Sequence, residues 1–312
     1  MIVIGGGAAG LNGALMLGRS RRSVVVVDAG DPRNAPAAGV HGFLTRDGTP
    51  PAELMALARA EVARYGVEVV EGRARSVERT DAGFAVALDD GRTLEGRRLL
   101  VTTGLVDELP DIAGVRERWG HDVVHCPYCH GWEVRDQAVG VLATSVRATH
   151  VAQLFRQLTP DVTFFLHDGP APSDDELEGL VARGVEIVEG QVEALVIADD
   201  RITGVRLVDG TVFAVQAVAV ATTFAARAEV LGAIGLEAME HPSGMGTYVA
   251  SDGTGATAVP GVWVAGNVTD PMAQVVASAA AGSLAGAAIN ADLVAEDVQL
   301  AVVATAGSDL PR

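Results

Sequence analysis

Both cysteines of the chain lie in one short run, His125-Cys126-Pro127-Tyr128-Cys129-His130-Gly131-Trp132-Glu133. Two cysteines separated by two residues can close a reducible disulfide. A nearby imidazole lowers a thiol's pKa, so that one sulfur can be thiolate near neutral pH. The spacing therefore has the makings of a redox switch. His125 and His130 flank the pair and offer two proton carriers to sulfurs that gain and lose protons as they cycle. Glu133 reads either as a group that orients a histidine or as a solvated carboxylate.

Other chemistries use similar spacing. Cys-x-x-Cys-His is also the attachment signature of c-type haem, but that chemistry goes with export. The chain opens on Met1-Ile2-Val3-Ile4, a strand pattern rather than a charged targeting region. A zinc site needs two further soft ligands, whereas His41, His121, His150, His167 and His241 are scattered singly. Inert buried cysteines seldom sit at this spacing between two histidines. In the cytoplasm, the expected compartment, a vicinal cysteine pair is more often catalytic than structural.

The 312 residues, 49% hydrophobic but only 4% aromatic, suggest about two domains with Ala/Val/Gly-rich cores of packed α/β layers. A net charge of −17 and a pI near 4.7 argue against nucleic acid or an anionic membrane as partner. No apolar run reaches the roughly 18 residues that suggest a transmembrane helix.

The elements that must position the cysteines begin at the N-terminus. Ile2-Val3-Ile4 leads into Gly5-Gly6-Gly7-Ala8-Ala9-Gly10, an Ala/Leu-rich helical pattern runs to about Gly18, and residues 23–28 read as a second buried strand. In this strand, turn, helix, strand order, Gly5 permits the tight turn, Gly7 lets the backbone approach a pyrophosphate, and Gly10 allows close helix–strand packing. Asp28 is placed to accept from a ribose hydroxyl, so the pattern predicts dinucleotide binding.

Residues 33–52, which include Arg33, Asn34, His41, Arg46 and Asp47, read as an irregular binding loop. There His41 is either a loop histidine satisfied by backbone or a residue near a bound cofactor. The spacing then predicts a helix over 53–65, a strand over 67–70, a hairpin joining 83–88 to 93–94, and a buried strand returning at 99–101 before Thr102-Thr103-Gly104.

The pattern then repeats. Residues 66–72 recur almost unchanged as 184–190, an offset of 118 residues, and the hairpin and return strand recur at an offset of 119. A repeat of this length implies two copies of one nucleotide-binding fold. Aligning the copies puts Ala143, Ser145 and Ala148 where the first has Gly5, Gly7 and Gly10, with Arg147 inside the turn. A Cβ at the closest approach obstructs a pyrophosphate, and the next strand ends in His167-Asp168-Gly169 with no arginine cluster for a 2′-phosphate. The second copy is expected to keep the fold and to have lost tight NADPH binding.

Near the C-terminus, a strand ending in Ala265-Gly266-Asn267-Val268 precedes Met272-Ala273-Gln274 and a small-residue helix from Val275 to about Ala288. The positive N-terminal end of that helix suits an electron-rich ring. The tail beyond 291 is expected to start helical and to fray over Thr305-Ala306-Gly307-Ser308.

Together these residues resemble the thioredoxin-reductase-like flavoprotein family over essentially the whole chain. The resemblance implies an α/β chain of two Rossmann-like domains, the second inserted into the first: residues 1–109 and 230–312 for FAD, residues 110–229 for the cysteine-bearing domain. It implies an FAD site on Gly5, Gly7, Ala8, Ala9 and Gly10 at the turn, and on Asp28, Ala29, Arg33, Asn34 and His41 beyond it. Thr103 and Gly104 follow the return strand, and Gly266, Asn267, Gln274 and Val275 complete the site. Asn267 stands where the family usually has Asp, and His130 stands where ordinary thioredoxin reductases have Asp.

His130 and the glycine-free second copy resemble a narrower group, the dithiol oxidases that close disulfides in natural products such as gliotoxin, holomycin and romidepsin, with the bacterial holomycin type closest. That resemblance implies a small-molecule dithiol as substrate, attack by substrate thiolate on Cys126, Cys129 facing the flavin, His130 and His125 as acid–base groups, and O2 as acceptor giving H2O2. It also implies a homodimer. The alternative is a disulfide reductase fed by NAD(P)H or ferredoxin.

Overall fold

The computed structural model describes residues 1–307. Five parallel strands form a first sheet in the order Val262–Val264, Leu99–Val101, Ile2–Ile4, Val25–Asp28, Glu68–Glu71. Its three central strands are short runs of Ile, Val and Leu, as expected of strands covered on both faces. A second five-stranded parallel sheet runs Glu186–Val188, Val162–Phe165, Val139–Leu142, Ala217–Val220, Val123–Val124. Each copy also carries a three-stranded antiparallel sheet: Ala74–Thr80, Gly83–Leu88 and Thr93–Gly96 in the first, Val192–Ala198, Arg201–Leu207 and Val212–Phe213 in the second.

The internal repeat is therefore a repeat of topology: the two parallel sheets share one strand order. They differ in the source of the strand beside the return strand. In the first copy it is Val262–Val264, which arrives after the second copy; in the second copy it is Val123–Val124, which precedes the first strand of that copy. The two copies are those that the repeat implied, and the insertion of the second into the first is the arrangement that the family resemblance implied.

Contacts divide the chain into two compact units. One consists of Met1–Arg33, Ala52–Val106 and Ala225 onward, and the other of Asn34–Pro51 and Asp107–Phe224. The chain passes from the first unit to the second after Val106 and returns at Ala225. The segment Asn34–Pro51 differs, since the sequence pattern put it with the first domain and it packs with the second. Its own backbone is pinned by the bridge between Val40 and Thr49, and Pro36 lies against Gly120 of the second unit.

In the first unit, helix Ala8–Arg19 packs against the long helix Val275–Gly307, which is continuous through the expected break near Ala288 and through Thr305 to Gly307. Of the expected frayed residues, Ser308 lies outside the described residues. Small residues set the approach: a Cβ on Gly282 would collide with the backbone of Ala9. Beyond that contact the helix is held by ion pairs, with Arg22, Arg97 and Arg98 reaching Asp292, Glu296 and Asp297. Among the described residues no helix is long and apolar enough to cross a membrane.

Strand Ala74–Thr80 was not anticipated. Its sequence, Ala-Arg-Ser-Val-Glu-Arg-Thr, buries only Val77 fully and has little apolar alternation. It is fixed by pairing with Gly83–Leu88, whose Phe84, Val86 and Leu88 face the core.

A Gly282→Val variant tests the helix contact. Overpacking here is expected to cost about 3 kcal/mol, the upper range for inserted methyl groups in a close-packed site. A urea melt followed by far-UV circular dichroism should show a lower midpoint; an unchanged midpoint would mean the helices can part without loss.

Candidate active site

The Cys-x-x-Cys pair occupies a single helical turn, Pro127–His130, with Cys126 in extended backbone as its N-cap and Pro127 at the first helical position. Proline fits there because its missing N–H would have no partner in the first turn and its fixed φ suits a helix. The N–H groups of Cys129 and His130 both donate to the Cys126 carbonyl, at 3.1 and 3.0 Å. That turn brings the Cα atoms of Cys126 and Cys129 to 5.2 Å, and the sulfurs are joined as a disulfide. Both cysteines are partly buried, while Tyr128 between them is largely exposed. A disulfide in this state can accept a thiolate and pass on two electrons.

His125 and His130 have different surroundings. His125 Nδ1 lies 3.3 Å from the Val220 carbonyl, and its ring packs edge-on against Phe224 at 5.3 Å between centroids. Donation from Nδ1 to that carbonyl fixes the tautomer and makes Nε2 the acceptor. His130 is partly buried, and burial pushes its imidazole below the usual histidine range. Glu133 opposes that effect and His41 adds to it. A histidine kept neutral is a competent proton acceptor.

His41 was expected near the cofactor. The structure groups it, with Asn34, in the second unit. Its ring stands edge-on to His130 with centroids 6.3 Å apart, and Nε2 lies 3.4 Å from Glu133 Oε1. The spacing of residues 33–52 holds no signal for this, because nothing local ties residue 41 to residue 130.

The remaining residues of the expected FAD set lie in the first unit, at or just beyond the carboxyl ends of its parallel strands, where open α/β sheets bind ligands. Gly5 has φ +109°, and a Cβ there would fall on the Thr102 carbonyl, so only glycine makes the turn. A Cβ on Gly7 would meet nothing within 4 Å, which leaves open space at the N-terminus of helix Ala8–Arg19 where a pyrophosphate needs it. Ala8 and Ala9 open that helix and Gly10 packs against the Gly5 carbonyl. The residues present fit an FAD at this turn.

Around the turn the polar groups are engaged as follows. Asp28 accepts from Arg59 and from the Gly30 N–H, so it and its neighbour Ala29 lie in a braced strand end. Thr103 Oγ1 donates to the Arg227 carbonyl, and the following Gly104 has φ +73°. Gly266 and Asn267 form a short helical turn before helix Val275–Gly307, which Gln274 directly precedes. Asn267 Nδ2 donates to the carbonyls of Asp270, Pro271 and Ala273, and its Oδ1 lies 3.4 Å from Arg33 Nη1. A carboxylate has no N–H to donate to these carbonyls, which is a physical reason for Asn where an Asp was the usual expectation.

The matching turn of the second unit is built differently. Ala143, Ser145 and Ala148 line a cavity of about 130 Å³ together with Phe164, Pro170 and Glu176. The Glu176 carboxyl is held below its usual range by a hydrogen bond from Thr149 and by the N–H and hydroxyl of Ser173. Strand Val162–Phe165 leads to His167, whose Nδ1 accepts from the Val192 N–H while Nε2 faces Asp168. Gly169 abuts the Ala143 carbonyl. A carboxylate and β-carbons thus face the space where a nicotinamide dinucleotide would need glycines and cations.

Residues 1–283 match the family described as pyridine nucleotide-disulphide oxidoreductase. The chain is 30% identical to a protein named thioredoxin reductase sirT of Leptosphaeria maculans, over 95% of each. The crystal structure of HlmI is 48% identical, covers 99% of this chain and 96% of its own, and superposes with a TM-score of 0.92. The oxidoreductase from Agrobacterium tumefaciens is 36% identical over 94% of this chain and 97% of its own, with a TM-score of 0.88.

Because the Gly7 site is open, Gly7→Ala separates binding from folding. The variant is expected to keep its secondary structure and to lose FAD affinity by about tenfold or more, since roughly 1.4 kcal/mol of obstructed contact suffices for that. Flavin fluorescence on equilibrium dialysis against FAD, beside a circular dichroism spectrum, decides it; full FAD retention would remove the pyrophosphate from this turn.

Proposed function

Since the chain belongs to the pyridine nucleotide-disulphide oxidoreductase family and is an FAD-binding oxidoreductase, we propose that it oxidises a small-molecule dithiol to an intramolecular disulfide, with dioxygen as final acceptor. The observation that carries this direction of electron flow is the second unit's turn, where Ala143, Ser145, Ala148 and the ionised Glu176 face the cavity. A reductase must load electrons from a nicotinamide at such a turn, whereas an oxidase has no use for one. The likeness to HlmI supports the narrower placement among dithiol oxidases of the holomycin type.

On this reading one substrate thiolate attacks Cys126 of the Cys126–Cys129 disulfide, which breaks the S–S bond and releases Cys129 as thiolate. The second substrate thiolate then attacks the substrate sulfur of the mixed disulfide, displacing Cys126 and closing the product. The substrate loses two electrons and two protons, and the cysteine pair gains the electrons. His130 takes up a thiol proton, and His125, braced by Val220, serves as a second acid–base group.

Gly5, Gly7 and Gly10 with Asp28, Thr103, Gly104, Gly266, Asn267 and Val275 would hold the cofactor in the first unit. Bound FAD supplies a two-electron acceptor that dioxygen can reoxidise, giving H2O2. The partners are a small dithiol and dioxygen, and the chain works as a cytoplasmic homodimer.

The name of the Leptosphaeria maculans relative favours a second reading, a disulfide reductase drawing electrons from NAD(P)H or ferredoxin. Anaerobic flavin absorbance separates the two. Dithiothreitol is expected to bleach the flavin, NADPH to leave it unchanged, and air to restore the colour with peroxide formed; rapid bleaching by NADPH would instead establish the reductase. Cys126→Ser is expected to retain FAD but to slow bleaching by dithiothreitol to the level of free flavin.

A further inference from the structure

The segment Asn34–Pro51 brings into the second unit a histidine that the reaction above does not use. His41 Nδ1 lies 3.5 Å from Asp47 Oδ2, and its Nε2 lies 3.4 Å from Glu133 Oε1. The arrangement is braced from both sides. Asp47 Oδ1 accepts from the Gly42 N–H at 2.9 Å, which aims the other oxygen at His41, and the loop is closed by Val40 donating to Thr49 and Gly48 to Val40, each at 2.8 Å. Side-chain exposure rises outward, from 21% at His41 to 36% at Glu133 and 66% at Asp47.

Both ring nitrogens of His41 thus face carboxylate oxygens, so the ring is held between Asp47 and Glu133. The ring stands edge-on to His130, with centroids 6.3 Å apart. Glu133, three residues after His130 in the same segment, is the carboxylate best placed to hold a proton on His130. The charged and titratable groups facing His130 are thus Glu133 from its own segment and His41 from the loop.

We propose that His41 is a positioning residue for His130: by engaging Glu133 and Asp47 through its two ring nitrogens, it occupies the Glu133 carboxylate and leaves His130 a neutral proton acceptor for the substrate thiol. The influences on His130 have the signs that this role requires. Burial, the largest, and His41 push its proton affinity down, while Glu133 pushes it up. Hydrogen bonding from Gly42, then from His41, holds the Asp47 carboxyl below its usual range, so Asp47 remains an anion for His41 to bridge.

The inference rests on the reading of His130 as the site's base, and the test keeps the two apart. The holoenzyme is mixed anaerobically with dithiothreitol, and the rate of flavin bleaching is followed from mildly acid to alkaline pH. Because the neutral imidazole is the active form, raising the proton affinity of His130 removes activity on the acid side first. His41→Asn should move the acid limb to higher pH, several-fold slower than wild type below neutral pH and converging with it at alkaline pH. His41→Lys, which offers Glu133 an N–H donor from the same position, should restore the wild-type limb, and Glu133→Gln should move it to lower pH.

If His130→Asn loses the limb while His41→Asn keeps the wild-type midpoint or is slowed equally at every pH, the positioning role is overturned and the dithiol oxidase reading stands. If His130→Asn keeps the limb, His130 is not the base and both statements fail. Should His41→Asn not hold FAD, Glu133→Gln alone decides, and a midpoint that stays or rises overturns the inference.

Discussion

The first unit depends on one contact, the backbone approach of helix Ala8–Arg19 to helix Val275–Gly307 at Gly282 and Ala9. One helix comes from the start of the chain and the other from its end, with the whole segment Asp107–Phe224 between the two parts of the unit. Ordering chain ends that far apart costs loop-closure entropy, which grows only slowly with length but must be met by contacts. Small residues meet it by letting backbones touch. The same helices present their N-termini at the carboxyl edge of the first sheet, so the contact that closes the unit also sets its binding edge.

The two copies show how one topology separates into two tasks. Strand order is common to both sheets, because each buries Val/Ile/Leu- or Phe-rich strands on two faces. What differs is the first turn. In the first copy a left-handed glycine and an open one leave room for phosphates. In the second, alanines, a serine and an ionised glutamate occupy the equivalent place. The two copies thus share a topology and differ in the side chains at one turn.

The redox segment has its own electrostatics in a chain of net charge −17. Burial lowers the proton affinity of His130 while Glu133 raises it, and a loop histidine sits between that carboxylate and two others of the surrounding groups, Asp47 and His130.

The sequence by itself determined the glycine turn, the buried strands, the internal repeat, the divergence at Ala143, Ser145 and Ala148, and the redox pair. Each is a local requirement: a φ that only glycine adopts without strain, a period of apolar residues, or a three-residue spacing that one helical turn converts into a bond. Tertiary structure alone decided the rest. Strand Ala74–Thr80 exists because a partner strand pairs with it, although its own residues are mostly polar. Asn267 Oδ1 comes within 3.4 Å of Arg33 Nη1, 234 positions away in sequence. The segment Asn34–Pro51 joins the second unit, and His41 reaches Glu133, across more than ninety positions of sequence. Contacts at that separation are set by how packed elements bring side chains together, and no local spacing encodes them.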